Sequence, residues 1–423
     1  MKKTIKITFL LSTLIFFFAL PCRGAGEFIF GICQGDERAL PYLIDLGIKW
    51  ARVNISWKEV MPELKAPLLT LKHLQAHPEE LVEELSQKTD WSKIDHKLKI
   101  LLENHIQPVP IVGHGYRWNY SRYQGKSAHP DRIGRDQYLA YMYLYTRAVV
   151  ERYDGDGYLD APGIRIKIWQ IENELNQAGL TAGWGWREPE WIAGLFSAWA
   201  NWDFLTRLLQ TLHQAVKDAD PQAKTFMNFH TDIPPKLSRF LRDPDWLEAI
   251  DRWKDYMEII AFDAYPNYYS PEPVRGEEIA KRIEQIREIV GNKPIIIAEI
   301  DYPSGPVERG FTPEKQAEFL KASYQSAREA GASGYFKLAI TGPDSHPVKI
   351  TEKDLKVLKK IIPWWEQEKV GRLFFWALFH SGYIKNHFLE VIKSVEGYWG
   401  VVSPEGEKKP GYFVLKELAQ KSK

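Results

Sequence analysis

Ile168-Trp169-Gln170-Ile171-Glu172-Asn173-Glu174-Leu175-Asn176 runs an apolar strand pattern straight into a cluster of amide and carboxylate side chains. Buried parallel strands are usually apolar throughout, so polar groups crowded at a C-terminal strand end need a reason. Pro294-Ile295-Ile296-Ile297-Ala298-Glu299-Ile300-Asp301-Tyr302 repeats the device far along the chain. Outward from these two stretches, short apolar runs alternate with longer amphipathic ones, the pattern of repeated βα units around a parallel sheet. Strands are expected at Phe28–Cys33, Lys49–Asn54, Gln107–Val112, Arg165–Ile171, Lys224–Phe229, Glu258–Asp263 and Pro294–Glu299. Helical patterns follow at Trp91–Asn104, Arg135–Tyr153, Glu190–Ala219, Pro235–Asp251, Gly276–Val290 and Thr312–Ala330. Thr312-Pro313-Glu314 opens the last of these with a cap, an N1 proline and a first-turn acid.

Two runs compete for the eighth strand. Arg372–Leu378 leads through Gly397–Gly406 into a closing helix at Pro410–Gln420. It is therefore expected to close the sheet, with Ser333–Ile340 and the helical Thr351–Ile362 forming an insertion before it. The expected fold class is α/β, a (β/α)8 TIM barrel with long βα-loop insertions at Ser56–Asp90 and Tyr116–Gly134. Both insertions follow C-terminal strand ends, where such a barrel builds its site. With no repeat and no low-complexity linker, one elaborated domain is expected over 25–423.

Composition narrows the partners. The 423 residues hold 56 Lys+Arg against 55 Asp+Glu, with no basic block to neutralise phosphates, which argues against nucleic acid. A hydrophobic share of 44 % is too high for a disordered chain, and two Cys cannot staple a scaffold. The first 24 residues read as a signal peptide: Lys2, Lys3 and Lys6 precede an apolar run from Ile7 to Leu20, shorter than the ~20 residues of a membrane span. Cleavage after Gly24 and export to the periplasm or outside are expected; Cys22 offers a lipid anchor as the alternative, although Pro21 fits a lipobox poorly. Cys33 then stands alone and reads as a small buried hydrophobe.

Strands four and seven of a closed barrel face each other across its mouth, so Glu174 and Glu299 are expected to converge. Two carboxyl groups flanking a cleft are the machinery of glycoside hydrolysis, one protonating the leaving oxygen and the other attacking the anomeric carbon. Other chemistries lack their signatures. The 11 His show no HExxH spacing, and there is no GxGxxG after a strand, no Walker loop and no GxSxG elbow. Neither metal nor organic cofactor is called for.

The order of elements, with Asn173-Glu174 ending strand four and Glu299 ending strand seven, resembles clan A of the glycoside hydrolases, retaining enzymes on a (β/α)8 barrel. Glu172 and Leu175 stand where xylosidase-type and cellulase-type members often carry Trp and Pro, so the resemblance is to the clan and not to one family. It implies Glu174 as acid/base, Glu299 as nucleophile and Asn173 as the contact to the sugar 2-hydroxyl. It further implies Arg52 at the end of strand two and Tyr265 at the end of strand six as supports of the nucleophile, and Trp376 as the floor of the cleavage subsite. From the residues themselves, His114 after strand three either contacts a sugar hydroxyl or is a loop histidine without a role. Asp263 either binds a sugar hydroxyl or pairs with Arg52. Trp184 and Trp186, between glycines in Gly183-Trp184-Gly185-Trp186-Arg187, are expected to stack on pyranose faces or to pack as a lid, with Tyr116, Trp118 and Tyr120 as weaker candidates. The implied activity is retaining hydrolysis of a β-linked oligo- or polysaccharide. The alternatives are a barrel that binds carbohydrate without cleaving it, and a transglycosidase using the same two carboxylates.

Overall fold

The computed structural model describes residues 28–113, 121–178, 197–232, 245–366 and 387–422. Eight parallel strands close into a barrel: β1 Ile29–Ile32, β2 Trp50–Asn54, β3 Gln107–Val112, β4 Ile168–Asn173, β5 Lys224–His230, β6 Ile260–Ala264, β7 Ile295–Ile300 and β8 Gly334–Lys337. Each pairs with its sequence neighbours, and β8 returns to β1 with Ile29 opposite Gly334 and Ile32 opposite Lys337. The seam therefore closes through the run at Ser333–Ile340. This corrects the expectation that Arg372–Leu378 is the eighth strand, a stretch that lies outside the described residues. The physical reason lies in Lys337. Its ammonium, fully buried, pairs with the equally buried Asp301 after β7 and donates to the Ala339 carbonyl at 2.6 Å, so a strand that ends on a lysine is satisfied inside the barrel.

Helices alternate with the strands: α1 Leu40–Leu46, α2 Ser92–Glu103, α3 Arg135–Tyr153, α4 Trp202–Ala219, α5 Trp246–Trp253, α6 Glu278–Val290, α7 Pro313–Glu329 and α8 Pro410–Lys421. Local chemistry sets their starts, at Thr312 as expected for α7 but only at Asn201, well beyond the expected Glu190, for α4. The Thr312 side chain accepts from the Lys315 amide and Pro313 follows it, while Asn201 accepts from the Phe204 amide at 2.9 Å to open α4. α3 is buried on nearly every side because helices Leu71–Ala76 and Pro78–Lys88 of the Ser56–Asp90 insertion cover its outer face. That insertion also supplies Glu63–Leu64, which pairs with Arg122–Tyr123 and through it with Lys126–Ser127, so the two expected insertions share a small sheet. Four of the tryptophans, Trp57, Trp169, Trp199 and Trp253, are fully buried packing. Among the described residues no helix is long and apolar enough to cross a membrane. The stretch 1–24, with Cys22, lies outside the described residues.

Candidate active site

Inside the barrel, Val109, Phe226, Ala261, Ile296 and Phe336 form an apolar plug, joined by Trp50 and Ile168. Side chains two residues apart on a strand share a face. One step towards the C-terminal ends the same inward positions turn polar: Trp50 gives way to Arg52, Ile168 to Gln170, Phe226 to Asn228 and Ala261 to Asp263. All four polar groups are sealed from solvent. Polar side chains stacked on an apolar floor must satisfy one another.

Arg52 organises that layer. Its Nε donates to Gln170 Oε1 at 2.8 Å, its Nη2 to Asn173 Oδ1 at 3.3 Å, and its Nη1 to Glu299 Oε1 and the Ala298 carbonyl, both at 2.8 Å. Burial works against the guanidinium charge, but Cys33, Glu299 and Asp263 around it more than offset this and raise its pKa. Tyr265 Oη donates to the other Glu299 oxygen, Oε2, at 2.6 Å. Burial first, and then the Glu299 charge, push the Tyr265 hydroxyl well above its ordinary value, so it stays a donor. Both oxygens of Glu299 are thus held, while 16 % of its side chain stays accessible from the mouth. The loop after β5 positions Tyr265 in turn: Asp232, salt-bridged to Arg282 of α6 at 2.7 Å, accepts the Tyr265 amide at 2.6 Å.

Glu174 has a different setting. Its Oε2 accepts from Asn173 Nδ2 at 3.2 Å and its Oε1 lies 2.8 Å from His230 Nδ1, at the end of β5. The Asp263 carboxyl is within hydrogen-bond reach of the Glu174 carboxyl. Asp263 Oδ2 accepts from Asn228 Nδ2, whereas its Oδ1 is buried and meets no donor. Burial, then the charges of Glu299 and Glu174, push the Asp263 carboxyl well above the usual carboxylate range. Two carboxyl groups in hydrogen-bond contact repel unless they share a proton, so this side of the site favours the protonated form. Asp263 is fully buried and contacts Asn228 and Glu174, and Arg52 acts on it through its charge.

The backbone is irregular where the two carboxylates emerge. The pairing of β4 with β5 slips between Gln170 and Asn173, and that of β7 with β6 slips between Ile297 and Glu299, which lands opposite Asp263. Such bulges re-aim a side chain. Glu172 and Glu174 adopt left-handed φ values of 75° and 51°, conformations that cost of order 1–3 kcal/mol each in non-glycine residues and cluster at functional sites. Gly113, with φ +96°, ends β3 beside them, and a Cβ there would sit 2.8 Å from the Glu172 carboxyl carbon.

Of the expected site residues, the barrel brings Arg52, Asn173, Glu174, Tyr265 and Glu299 together in one hydrogen-bonded network. His114, Trp184, Trp186 and Trp376, like Tyr116, Trp118 and Tyr120, lie outside the described residues. Cys33 is half-buried under the site, where its thiol donates to the Ala298 carbonyl at 2.9 Å and accepts from Arg52 at 3.2 Å. Sequence reasoning missed Gln170, Asn228, His230 and Trp399. Lys224-Thr225-Phe226-Met227-Asn228-Phe229-His230 carries the same apolar-to-polar ending as β4 and would have revealed two of them. Trp399, whose ring centroid lies 5.3 Å from that of Tyr265, arrives from a loop after β8 that no strand pattern marks.

No family model and no curated protein matches the chain. Solved structures do. GH5_18 from Streptomyces cattleya, in complex with GlcNAc, is similar over 94% of this chain and 81% of its own, at 11% identity and a TM-score of 0.58. The exo-beta-1,4-mannosidase Op5Man5 from Opitutaceae bacterium strain TAV5 is similar over 95% of this chain, at 14% identity and a TM-score of 0.55. A glucosidase from Croceicoccus marinus is similar over 90% of this chain, at 11% identity and a TM-score of 0.51. The chain spans 60% of the length of the mannosidase and 63% of that of the glucosidase. At these identities the likeness is one of fold, the (β/α)8 barrel.

Proposed function

We propose that the chain is a retaining β-glycoside hydrolase acting on a β-linked oligo- or polysaccharide, with Glu299 as nucleophile and Glu174 as acid/base. The observation that carries this reading is the unlike setting of two strand-end carboxyl groups. Glu299 accepts donors on both oxygens, from Arg52 and Tyr265, and stays partly open to the mouth. Glu174 abuts a second carboxyl, Asp263, whose hold on a proton is strengthened by burial and by the charges of Glu299 and Glu174. Unlike environments on two titratable groups assign acid and nucleophile. The likeness in fold to solved glycosidases supports the same reading.

In the first step Glu174 gives its proton to the glycosidic oxygen while ionised Glu299 attacks the anomeric carbon, forming a covalent glycosyl-enzyme and releasing the aglycone. Glu174, now ionised, takes a proton from water, which displaces Glu299 with net retention. Asn173 Nδ2 faces Glu174 and serves the 2-hydroxyl, a contact that strengthens in the transition state. Export through the N-terminal segment belongs to the same proposal, as do substrate contacts by His114, Trp184, Trp186 and Trp376.

The test is a screen of aryl β-glycosides and β-glucans with the parent chain, Glu174→Ala and Glu299→Ala. Removal of the acid/base is expected to cost about 10²–10⁴-fold, least with leaving groups that need no protonation. Proton NMR of the first-formed sugar is expected to display the β-anomer, and azide with Glu299→Ala an α-glycosyl azide. A parent chain no faster than the Glu174→Ala/Glu299→Ala double variant on every substrate returns the barrel to a binding role. Sugar transferred to a glycan acceptor in preference to water identifies a transglycosidase.

A further inference from the structure

A second acidic constellation lies at the opposite end of β4 from Glu174. Glu151, in the last turn of α3, and Asp154 and Asp156, in the loop beyond it, each bring one carboxylate oxygen within 4.8 Å of the others. Glu151 and Asp154 are almost wholly buried, at 5% and 2% exposure, so two of these charges have been taken out of water. That is costly unless a cation compensates.

Among the described residues no cation pairs with the Asp154 side chain. Lys167 Nζ goes to the Asp220 carboxylate at 2.6 Å and to the backbone carbonyl of Asp154 at 3.2 Å, leaving its side chain aside. Arg147 is engaged by both oxygens of Glu79, at 2.6 and 2.7 Å, and only grazes Glu151 at 3.6 Å. Asp154 Oδ1 accepts the Asp156 amide at 3.1 Å, whereas Oδ2 is sealed from solvent and receives no donor among the described residues.

We propose that Glu151, Asp154 and Asp156 hold a calcium ion that braces the base of the barrel where the chain turns from α3 into β4. The donor set is all hard oxygen, with no imidazole or thiolate to favour zinc. Calcium accepts six to eight such oxygens in flexible geometry, and the alternate-residue spacing Asp154-Gly155-Asp156-Gly157 is one that calcium loops use. The rest of the loop is already folded for the purpose. Asp160 takes the amides of Gly155 at 3.0 Å and Gly157 at 2.6 Å, and Tyr158 donates its amide to Asp156 Oδ1 at 2.8 Å. The N-terminal face of such a barrel serves stability, so the ion's role is structural and separate from the proposed hydrolysis.

The experiment is calorimetric titration of the EGTA-stripped full chain with CaCl₂, with thermal unfolding followed in parallel. One saturable site per chain is expected, and at a hundredfold excess over Kd the Tm should rise by roughly 3 °C. Asp156→Asn, at an exposed position, should fold normally and weaken calcium at least tenfold. Asp154→Asn should abolish the calcium response while raising the Tm in EGTA, because it removes a buried charge that lacks a partner. Absence of a saturable heat up to millimolar CaCl₂, with equal Tm in calcium and EGTA, overturns the proposal. So does calcium binding unaltered in both variants, and magnesium binding as tightly as calcium overturns the choice of ion.

Discussion

At the residue scale, Asp263 separates this site from a plain pair of carboxylates. It is buried, touches the Glu174 carboxyl and is held above the ordinary carboxylate range by burial and by the charges of Glu299 and Glu174. Folded Asp263 therefore keeps a proton that the unfolded chain has released above ~4. In that window the native state binds more protons than the unfolded one, so this group's contribution to stability declines as pH rises from ~4 towards the folded pKa. Asp263→Asn removes the titration. Its Tm relative to the parent chain should climb with pH over the window, as measured by unfolding across a pH series. The same variant removes the carboxyl that shares a proton with Glu174, so the alkaline limb of kcat/KM should move; an unmoved limb would exclude proton sharing between the two. Little of this was legible in advance. Asn173, Glu174, Arg52, Tyr265 and Glu299 stand at the ends of apolar strands and were readable as a site. The partner of Asp263 was not, because β6 and β4 are brought together only by barrel closure across β5.

At the scale of elements, the strand ends matter more than the strands. Seven of the eight were readable because each is an apolar run of ordinary length bounded by polar segments. The eighth is misplaced at Arg372–Leu378 because that run leads through Gly397–Gly406 into the closing helix, whereas the true strand, Gly334–Lys337, is short and ends in a charge whose partner, Asp301, lies in another element. Register was illegible for a related reason. The slips beside Gln170 and Glu299 arise from pairing with β5 and β6, not from the residues of β4 or β7 alone. Gly113 tests whether this irregular geometry matters. Its left-handed φ and the nearby Glu172 carboxyl leave no room for a methyl group. Gly113→Ala should cost about 1–3 kcal/mol in denaturant unfolding. By displacing Glu172, two residues before Glu174, it should also lower kcat more than it raises KM. A variant as stable and as active as the parent chain would mean that the β3–β4 contact is soft.

At the scale of the whole molecule, one buried ion pair ties the closing strand to the mouth of the barrel. Lys337 and Asp301 are both fully buried and join β8 to the end of β7, and the ammonium also meets the backbone carbonyl of Trp399, the residue whose ring packs against Tyr265. The seam, the last loop and the site are thus one connected body. Burial dominates both groups, raising Asp301 to about 6 and lowering Lys337. Such a pair adds little net stability, but losing one partner is costly. Lys337→Met leaves Asp301 with the Tyr302 amide at 2.9 Å and Gln316 at 3.4 Å. It should cost about 3–5 kcal/mol in urea unfolding. The double variant Lys337→Met/Asp301→Leu should recover most of that loss, since it removes the orphaned charge along with its partner. Recovery of stability without recovery of kcat would mean that the pair positions the Trp399 loop. Recovery of both would make the pair a matter of closure alone, because an apolar seam would then hold the mouth of the barrel equally well.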